Sequence, residues 1–379
     1  STSSVQHAFT IRRVSPSVVP FKVGNTSSRR SIPAGTPQSL ESGMDWNGPN
    51  ASVAAGNALL DKRIGEDVQD VAKHVYQLAQ GLRSIDGTDT GLTGFDMEFA
   101  YIEKRCQDPD RKKTFHVAER RENVTKNRYV NVLPPDDTRV ELESLTGVAG
   151  SDYVNANHIL TDGEGCPKYI ATQGPVAATI GDFWRMVWEQ DTRVVVMLTQ
   201  EIESSRIKCV KYWPESEVAS HDKIRIEPLD TDDAVEPVIR KFSISNIDEP
   251  HTEARIITHF QYREWPDHGL PASPTGFLRL VQLVCQVDSG TPIVVHCSAG
   301  IGRTGTFCTV HSIICMMTTH LNLHGSLPPI NIVRTVLNFR DQRPGMVQNK
   351  DQYMFCYLSI LQEYTKLQKL VPKRNPASQ

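Results

Sequence analysis

Cys297 and Arg303 are the residues of this chain whose types and spacing point most directly to chemistry. A thiolate is a nucleophile. A guanidinium six residues later can hold two oxygens of a phosphoryl group through its planar fork, which a lysine cannot. Gly300 and Gly302 lie between them, and Ile293-Val294-Val295 precedes them as a run that reads as a buried strand. A helix is expected to begin near Arg303 or Thr304. A strand, a glycine-bearing loop and a helix N-terminus make an anion cradle, in which the amides of Ser298, Ala299, Gly300, Ile301 and Gly302 converge with the positive end of the helix. A thiol in such a field titrates at roughly 3.5–7.5 instead of near 8.5. The same field binds a phosphate dianion, so the sulfur is set for in-line attack on phosphorus. It is also open to oxidation, and redox sensitivity is expected. A cysteine alone is more often a small buried apolar residue. The spacing to Arg303 and the two glycines set this one apart.

The elements that must position this loop are legible in outline. From about residue 95 to 368 short β-like runs (193–198, 255–262, 292–295) alternate with helical stretches (179–190, 275–287, 304–319, 331–340, 350–365). That mixture predicts an α/β domain, a central twisted mixed sheet flanked by helices, with the phosphate-binding loop between a strand and a helix. Residues 1–65 are rich in Ser and Pro and are expected to be a mostly disordered leader. Residues 66–87 are read as a helix over 66–83, with Val68, Val71, Ala72, Val75, Leu78 and Leu82 on one stripe, followed by a linker around Gly87, Gly91 and Gly94. The catalytic domain is placed at 88–368 and a disordered tail at 369–379.

Composition limits the rest. The 379 residues carry 41 Lys and Arg against 44 Asp and Glu, a net charge of −3, which gives no electrostatic case for nucleic acid. No apolar run reaches the roughly 18 residues of a membrane span, and Ser1-Thr2-Ser3-Ser4 lacks the apolar core of a secretory signal. The eight cysteines are scattered without zinc-type spacing, so reduced thiols, a cytoplasmic or nuclear setting, and no metal or other cofactor are expected.

The run His296-Cys297-Ser298-Ala299-Gly300-Ile301-Gly302-Arg303-Thr304-Gly305 resembles the phosphate-binding loop of the tyrosine-specific, non-receptor protein tyrosine phosphatases. Other segments over 95–368 extend the resemblance: Lys126-Asn127-Arg128-Tyr129, Asp152-Tyr153-Val154-Asn155-Ala156-Asn157, Thr172-Gln173-Gly174-Pro175, Lys208-Cys209-Val210-Lys211-Tyr212-Trp213-Pro214, Trp265-Pro266-Asp267-His268-Gly269 and Gln348-Asn349-Lys350-Asp351-Gln352. The spelling of the segment at 265–269 and the Ser-rich leader resemble plant members. The resemblance implies roles. Cys297 is the nucleophile and Arg303 the phosphate clamp. Asp267 is the general acid on a mobile loop, with Trp265 as its hinge. Gln348 places the hydrolytic water with support from Gln352. Thr304 stabilises the leaving thiolate, and Tyr129 stacks on the substrate ring. His296 orients the loop. Glu203, counted back from Lys208, orients Arg303, although Ser204 stands where the family often has Lys. Asn131 stands where many members carry an acid that holds the substrate backbone.

The function implied is hydrolysis of phosphotyrosine in proteins through a cysteinyl-phosphate, in signalling, on phosphorylated kinases or similar proteins, by a monomer. A catalytically weak phosphotyrosine-binding module would lack Cys297, Arg303 or Asp267, and a dual-specificity phosphatase would lack the loop at 126–129.

Overall fold

The runs richest in Val and Ile pair with one another in the middle of a nine-stranded sheet. The computed structural model describes residues 64–83, 89–267, 269–287 and 290–372. In chain order it contains α1 (Val71–Ala79), β1 (Gly81–Arg83), β2 (Asp89–Thr93), α2 (Gly94–Cys106), β3 (Arg139–Glu141), β4 (Tyr153–Ile159), β5 (Tyr169–Thr172), α3 (Ile180–Glu189) and β6 (Val194–Met197). There follow β7 (Ile202–Glu203), β8 (Arg206–Ile207), β9 (Ala219–His221), β10 (Ile224–Asp232), β11 (Val238–Asn246), β12 (Arg255–Gln261), α4 (Pro274–Val287), β13 (Ile293–His296), α5 (Gly302–His324), α6 (Ile332–Gln342) and α7 (Lys350–Gln368).

The sheet order is β3-β4-β5-β13-β6-β12-β11-β10-β9. β5, β13, β6 and β12 are parallel, and antiparallel strands flank them on both sides. Parallel strands need both faces covered, and alternation along each strand supplies both. Ile293 and Val295 join Ala171 and Val196 in a core with α4, α5 and α7, while Val294 joins Ile170 and Val195 in a core with α3. The four parallel strands therefore end side by side, at Thr172, His296, Met197 and Gln261. Their carboxyl ends are the edge where an α/β sheet binds its ligand.

The amino-terminal part departs from the sequence reading. The helix is shorter than 66–83. Asp70 caps it by accepting from the Lys73 amide at 3.0 Å. Before the cap, Val68 exchanges two backbone hydrogen bonds with Ile330 (2.7 and 2.9 Å), an extended geometry that a helix cannot provide. Leu82 lies in β1, paired with β2, and Gly91 and Gly94 belong to β2 and α2 instead of a linker. Nor is α1 an appendage to the domain. Val71, Val75 and Leu78 are buried in the larger core, and a Cβ on Gly94 would lie 2.8 Å from the Leu78 Cα. The buried Glu98 of α2 accepts from the Tyr353 and Tyr357 hydroxyls of α7 (2.7 and 2.8 Å), with His74 of α1 at 3.3 Å. Ile64 is buried and the Gly65 carbonyl accepts from Asn331, so packing begins inside the stretch expected as leader. The remainder of the expected leader (1–63) and of the tail (373–379) lies outside the described residues.

Candidate active site

Most of the functional side chains follow the carboxyl end of a parallel strand: Glu203 and Lys208 come after β6, Asp267 after β12, and Cys297 and Arg303 after β13. Tyr129 instead lies ahead of β3, and Gln348 and Gln352 lie around the start of α7. Cys297 directly follows β13 and is buried. Its Sγ accepts from the Gly300 amide at 3.3 Å. Gly300 has φ of 73°, and a Cβ there would meet the Thr172 carbonyl oxygen at 2.1 Å, so the close passage of the loop over β5 requires glycine. Ser298, Ala299, Gly300, Ile301 and Gly302 then carry the chain into α5. The loop carbonyls are turned away from the sulfur and held from behind. Arg343, completely buried, donates to the carbonyls of Gly300 (2.9 Å) and Ala299 (3.0 Å) and to the side-chain oxygens of Asn155 (2.8 Å) and Asn157 (2.6 Å). Burial lowers its pKa to about 10, which leaves it charged at neutral pH.

Below the loop runs a directional chain of hydrogen bonds. A carbonyl can only accept, so His296 Nδ1 donates to the Cys297 carbonyl at 3.2 Å. Burial holds the His296 pKa down at about 4, so the ring is neutral and its Nε2 accepts from the Tyr212 hydroxyl at 2.8 Å. That hydroxyl has one proton, so it accepts in turn from His259 Nε2 at 2.8 Å. Burial pushes His259 well below its ordinary value as well. Two neutral imidazoles and one phenol thus fix the peptide that follows β13.

Arg303 lies in the first turn of α5, with its guanidinium clamped in place. It makes a bidentate pair with the buried Glu203 (2.6 and 2.8 Å) and donates to the carbonyls of Leu198 (3.0 Å) and Pro266 (3.0 Å). Glu203 also accepts from the Thr199 hydroxyl (2.7 Å) and the Gln200 amide (3.1 Å). It ends β7, and the hairpin to β8 turns at Ser204 and Ser205, both at positive φ. Serine thus occupies a backbone geometry that favours Gly or Asn.

Asp267 follows the Pro266 that bonds Arg303. Its carboxylate is ion-paired to Lys208 at 2.5 Å. Lys208, with Ser204, holds this carboxyl well below the usual range. Trp265 is buried, stacks edge-on against Phe277 (5.6 Å), and donates from its indole to the Gly269 carbonyl at 3.2 Å. The Tyr129 hydroxyl lies 2.9 Å from Ser298 Oγ, which donates to the Lys208 carbonyl. Arg128 and Gln173 tie this tyrosine's loop to the segment after β5. Asn131 is exposed beyond it. On the facing side, a Cβ on Gly302 would meet the amide groups of both Gln348 and Gln352 at 3.0 Å. The Gln348 amide donates to Gln352 Oε1 at 2.9 Å.

Apart from Asn131, the residues selected from the sequence therefore gather around the loop that follows β13, with one qualification. The Thr304 hydroxyl is buried and makes no hydrogen bond among the described residues, so its expected contact with the sulfur is not formed here. Sequence reasoning missed Arg343, Tyr212 and His259 as supports. The signal for Arg343 was an arginine followed by Pro344 and Gly345 at a helix end, shortly before Gln348.

The arrangement suits phosphoryl transfer to sulfur with a carboxyl at hand for the leaving group. Comparison with known proteins agrees. The protein-tyrosine phosphatase profile matches residues 123–362. The chain is 36% identical over 373 residues to tyrosine-protein phosphatase 2 of Dictyostelium discoideum, covering 82% of this chain and 96% of that protein. It is 40% identical over 307 residues to human receptor-type tyrosine-protein phosphatase F, covering 79% of this chain and 15% of that protein. It is also 40% identical over 255 residues to the human receptor-type phosphatase alpha, covering 66% of this chain and 31% of that protein. The chain thus spans only a small part of these receptor-type relatives. With the profile covering well over half of its length, this chain belongs to the protein-tyrosine phosphatase family.

Proposed function

We propose that this chain hydrolyses phosphotyrosine in proteins through a covalent phosphocysteine on Cys297. The observation that carries the reading is the single guanidinium of Arg303, which bonds Glu203, Leu198 and Pro266 at once. One side chain thereby ties together the nucleophile's loop, the segment after β6 and the loop that carries the acid.

In the first step the sulfur attacks phosphorus, the S–P bond forms and the bond to the tyrosine oxygen breaks. The loop amides and Arg303 hold the equatorial oxygens. Asp267 gives its proton to the leaving phenolate. This role needs the protonated carboxyl, whereas Lys208 favours the ionised one. A bound phosphate dianion opposes that preference, because its charge raises a nearby carboxyl and competes for the ammonium. In the second step Gln348 and Gln352 place a water, Asp267 takes its proton as the water oxygen bonds phosphorus, and the S–P bond breaks to release inorganic phosphate and return the Cys297 thiolate.

The test is steady-state kinetics on matched phosphotyrosyl and phosphoseryl peptides. In this reading Tyr129, whose hydroxyl lies 2.9 Å from Ser298 Oγ, walls the site and makes it deep enough for phosphotyrosine. We expect at least a thousandfold preference for phosphotyrosine in kcat/KM, about 4 kcal/mol, and background turnover in Cys297→Ser. Comparable rates on the two peptides would point to a shallow, dual-specificity pocket. Turnover retained in Cys297→Ser would reject the mechanism.

The finer parts of the reading are a monomeric, non-receptor enzyme of plant type, in the cytoplasm and nucleus, reversibly inactivated by peroxide and acting in signalling on phosphorylated kinases or similar proteins. No helix among the described residues is long and apolar enough to cross a membrane. Support for the non-receptor class comes from the match over 96% of the Dictyostelium protein, and for plant type from the spelling at 265–269. Recovery of phosphorylated kinases on an Asp267→Ala trap checks the substrate class.

A further inference from the structure

Behind the phosphate loop, α4 and α5 bring together three side chains that the phosphatase chemistry does not use. Cys285 of α4 and Cys315 of α5 have their sulfurs 3.4 Å apart. His311, one turn before Cys315, has Nε2 at 3.7 Å from the Cys315 sulfur. All three donor atoms lie within 4.8 Å of one another. Two thiolates and an imidazole around a tetrahedral zinc ion sit roughly 3.8 Å apart for S···S and roughly 3.6 Å for S···N, given bond lengths of about 2.3 and 2.0 Å. The distance from the Cys315 sulfur to His311 Nε2 matches, the sulfurs at 3.4 Å are somewhat closer, and the third pair lies within 4.8 Å. The sulfurs lie well beyond the roughly 2.05 Å of a disulfide bond.

The imidazole is also prepared as a ligand. Its Nδ1 is occupied by the hydroxyl of the buried Tyr169 at 2.7 Å, the outer partner that fixes a metal-binding histidine's tautomer and orientation. Phe307 stacks on the same ring, 5.2 Å between centroids and 13° from parallel. Cys285 is exposed, so an ion reaches the site from solvent and a water can fill the fourth position.

From this geometry we infer that Cys285, His311 and Cys315 form a binding site for a thiophilic d10 cation of the zinc class. On binding, each thiol releases its proton to solvent and the two thiolates neutralise the dication. The ion clips the helix that follows the acid loop to the helix that leaves the phosphate loop.

The test uses the full chain as Cys297→Ser, so that the catalytic sulfur cannot bind metal, reduced with a thiol-free phosphine and titrated with Co2+ and then Zn2+. We expect one Co2+ per chain, with a thiolate-to-metal charge-transfer band, displaced by Zn2+. Adding Cys285→Ser, a change at an exposed position, should abolish the band without lowering the melting temperature. Tyr169→Phe should weaken binding roughly tenfold. The inference is overturned if the parent gives no band, or if one-to-one binding survives in the Cys285→Ser protein. Cys285–Cys315 disulfide formation on oxidation, with no metal uptake by the reduced protein, also overturns it. Because the readout is metal binding in a catalytically disabled protein, its outcome is independent of the phosphatase reading.

Discussion

The phosphate loop and the acid loop meet at Arg303, yet they are held in opposite ways. In the first, every carbonyl from His296 to Ile301 is bonded by the scaffold, His296 itself by the Leu198 amide. His296 Nδ1 takes Cys297, the Gly174 amide takes Ser298, Arg343 takes Ala299 and Gly300, and the Val347 amide takes Ile301. None of these donors is needed for the phosphate. In the acid loop two of the holding groups are themselves cations facing the cleft: Arg303 on the Pro266 carbonyl and Lys208 on Asp267. A phosphate dianion competes with this second set and leaves the first untouched. The anion cradle is therefore built before substrate arrives, whereas the acid's position and protonation depend on what the cleft contains.

The most direct way to break this contrast is Arg343→Met. The substitution keeps volume but strands four buried acceptors, so we expect a loss of roughly 3–5 kcal/mol in stability together with a roughly hundredfold fall in kcat/KM. Denaturant melts and kinetics at a temperature where the variant is folded measure both. Retained activity in a destabilised protein would show that the loop holds its shape without the arginine. Asp267→Asn should do the reverse, lowering kcat by about 10²–10⁴ while phosphotyrosyl peptide still binds and the melting temperature hardly moves. Equal losses in kcat and in peptide affinity would place Asp267 among the binding residues instead.

A control must separate preorganisation from plain stability, and α1 supplies it. Deleting residues 1–79 removes the buried Ile64, Val71, Val75 and Leu78, which are core residues and not among the side chains of the site described above. After offsetting the entropy of ordering the segment, we expect a stability loss on the order of 3 kcal/mol. Turnover per folded molecule at low temperature should be unchanged. If this truncation reproduces the activity defect of Arg343→Met, stability alone explains both.

Legibility in the sequence follows the same division. Cys297 and Arg303 could be read because their spacing carries the chemistry, whereas Asp267 and Gln348 were legible only through short runs that resemble those of the family. Of the parallel strands, β6 and β13 could be read because burial on both faces demands Val and Ile runs, and β12 by partial alternation, whereas β5, Tyr169-Ile170-Ala171-Thr172, gave no such run. Arg343, Tyr212 and His259 could not, because what makes them supports is a contact across 43 or more residues, such as Arg343 to Gly300 and Tyr212 to His296. The start of α1 was misread for a similar reason. The apolar stripe continues through Val68, and only the pairing with distant Ile330 makes that residue extended. The cluster of Cys285, His311 and Cys315 left one signal, the one-turn spacing of His311 and Cys315, without its third member.

The rigid side of the comparison carries a pH dependence. His296 is neutral when folded, with a pKa of about 4, against about 6.5 in an unfolded chain. Above 6.5 both states are neutral and nothing is lost. Between 6.5 and 4 only the unfolded chain takes up the proton, so stability falls with pH. At pH 5 this one group costs on the order of 2 kcal/mol. His296→Asn keeps a side chain that can donate to the Cys297 carbonyl but cannot titrate. The stability difference between pH 7.5 and pH 5 should shrink by about that amount, while an unchanged slope would assign the acid sensitivity to His259 or to carboxylates elsewhere.

The switchable side is probed most finely at Lys208. A general acid must hold its proton at the moment the leaving oxygen departs, so kcat falls as pH rises through the acid's pKa in the complex. Lys208 lowers that pKa by favouring the carboxylate. Lys208→Met removes the ammonium and keeps an unbranched chain. The carboxyl is then easier to protonate, and the alkaline limb of the kcat profile should move to higher pH, with modest change at the optimum. The profile of kcat/KM should respond less clearly, since Lys208 also faces the incoming dianion. In the double variant with Asp267→Asn the alkaline limb should disappear and Lys208→Met should shift nothing further, because the group it tunes is gone. If Lys208→Met moves the limb just as far without Asp267, another group is the acid, and the ion pair at 2.5 Å between these two side chains serves only to hold the loop.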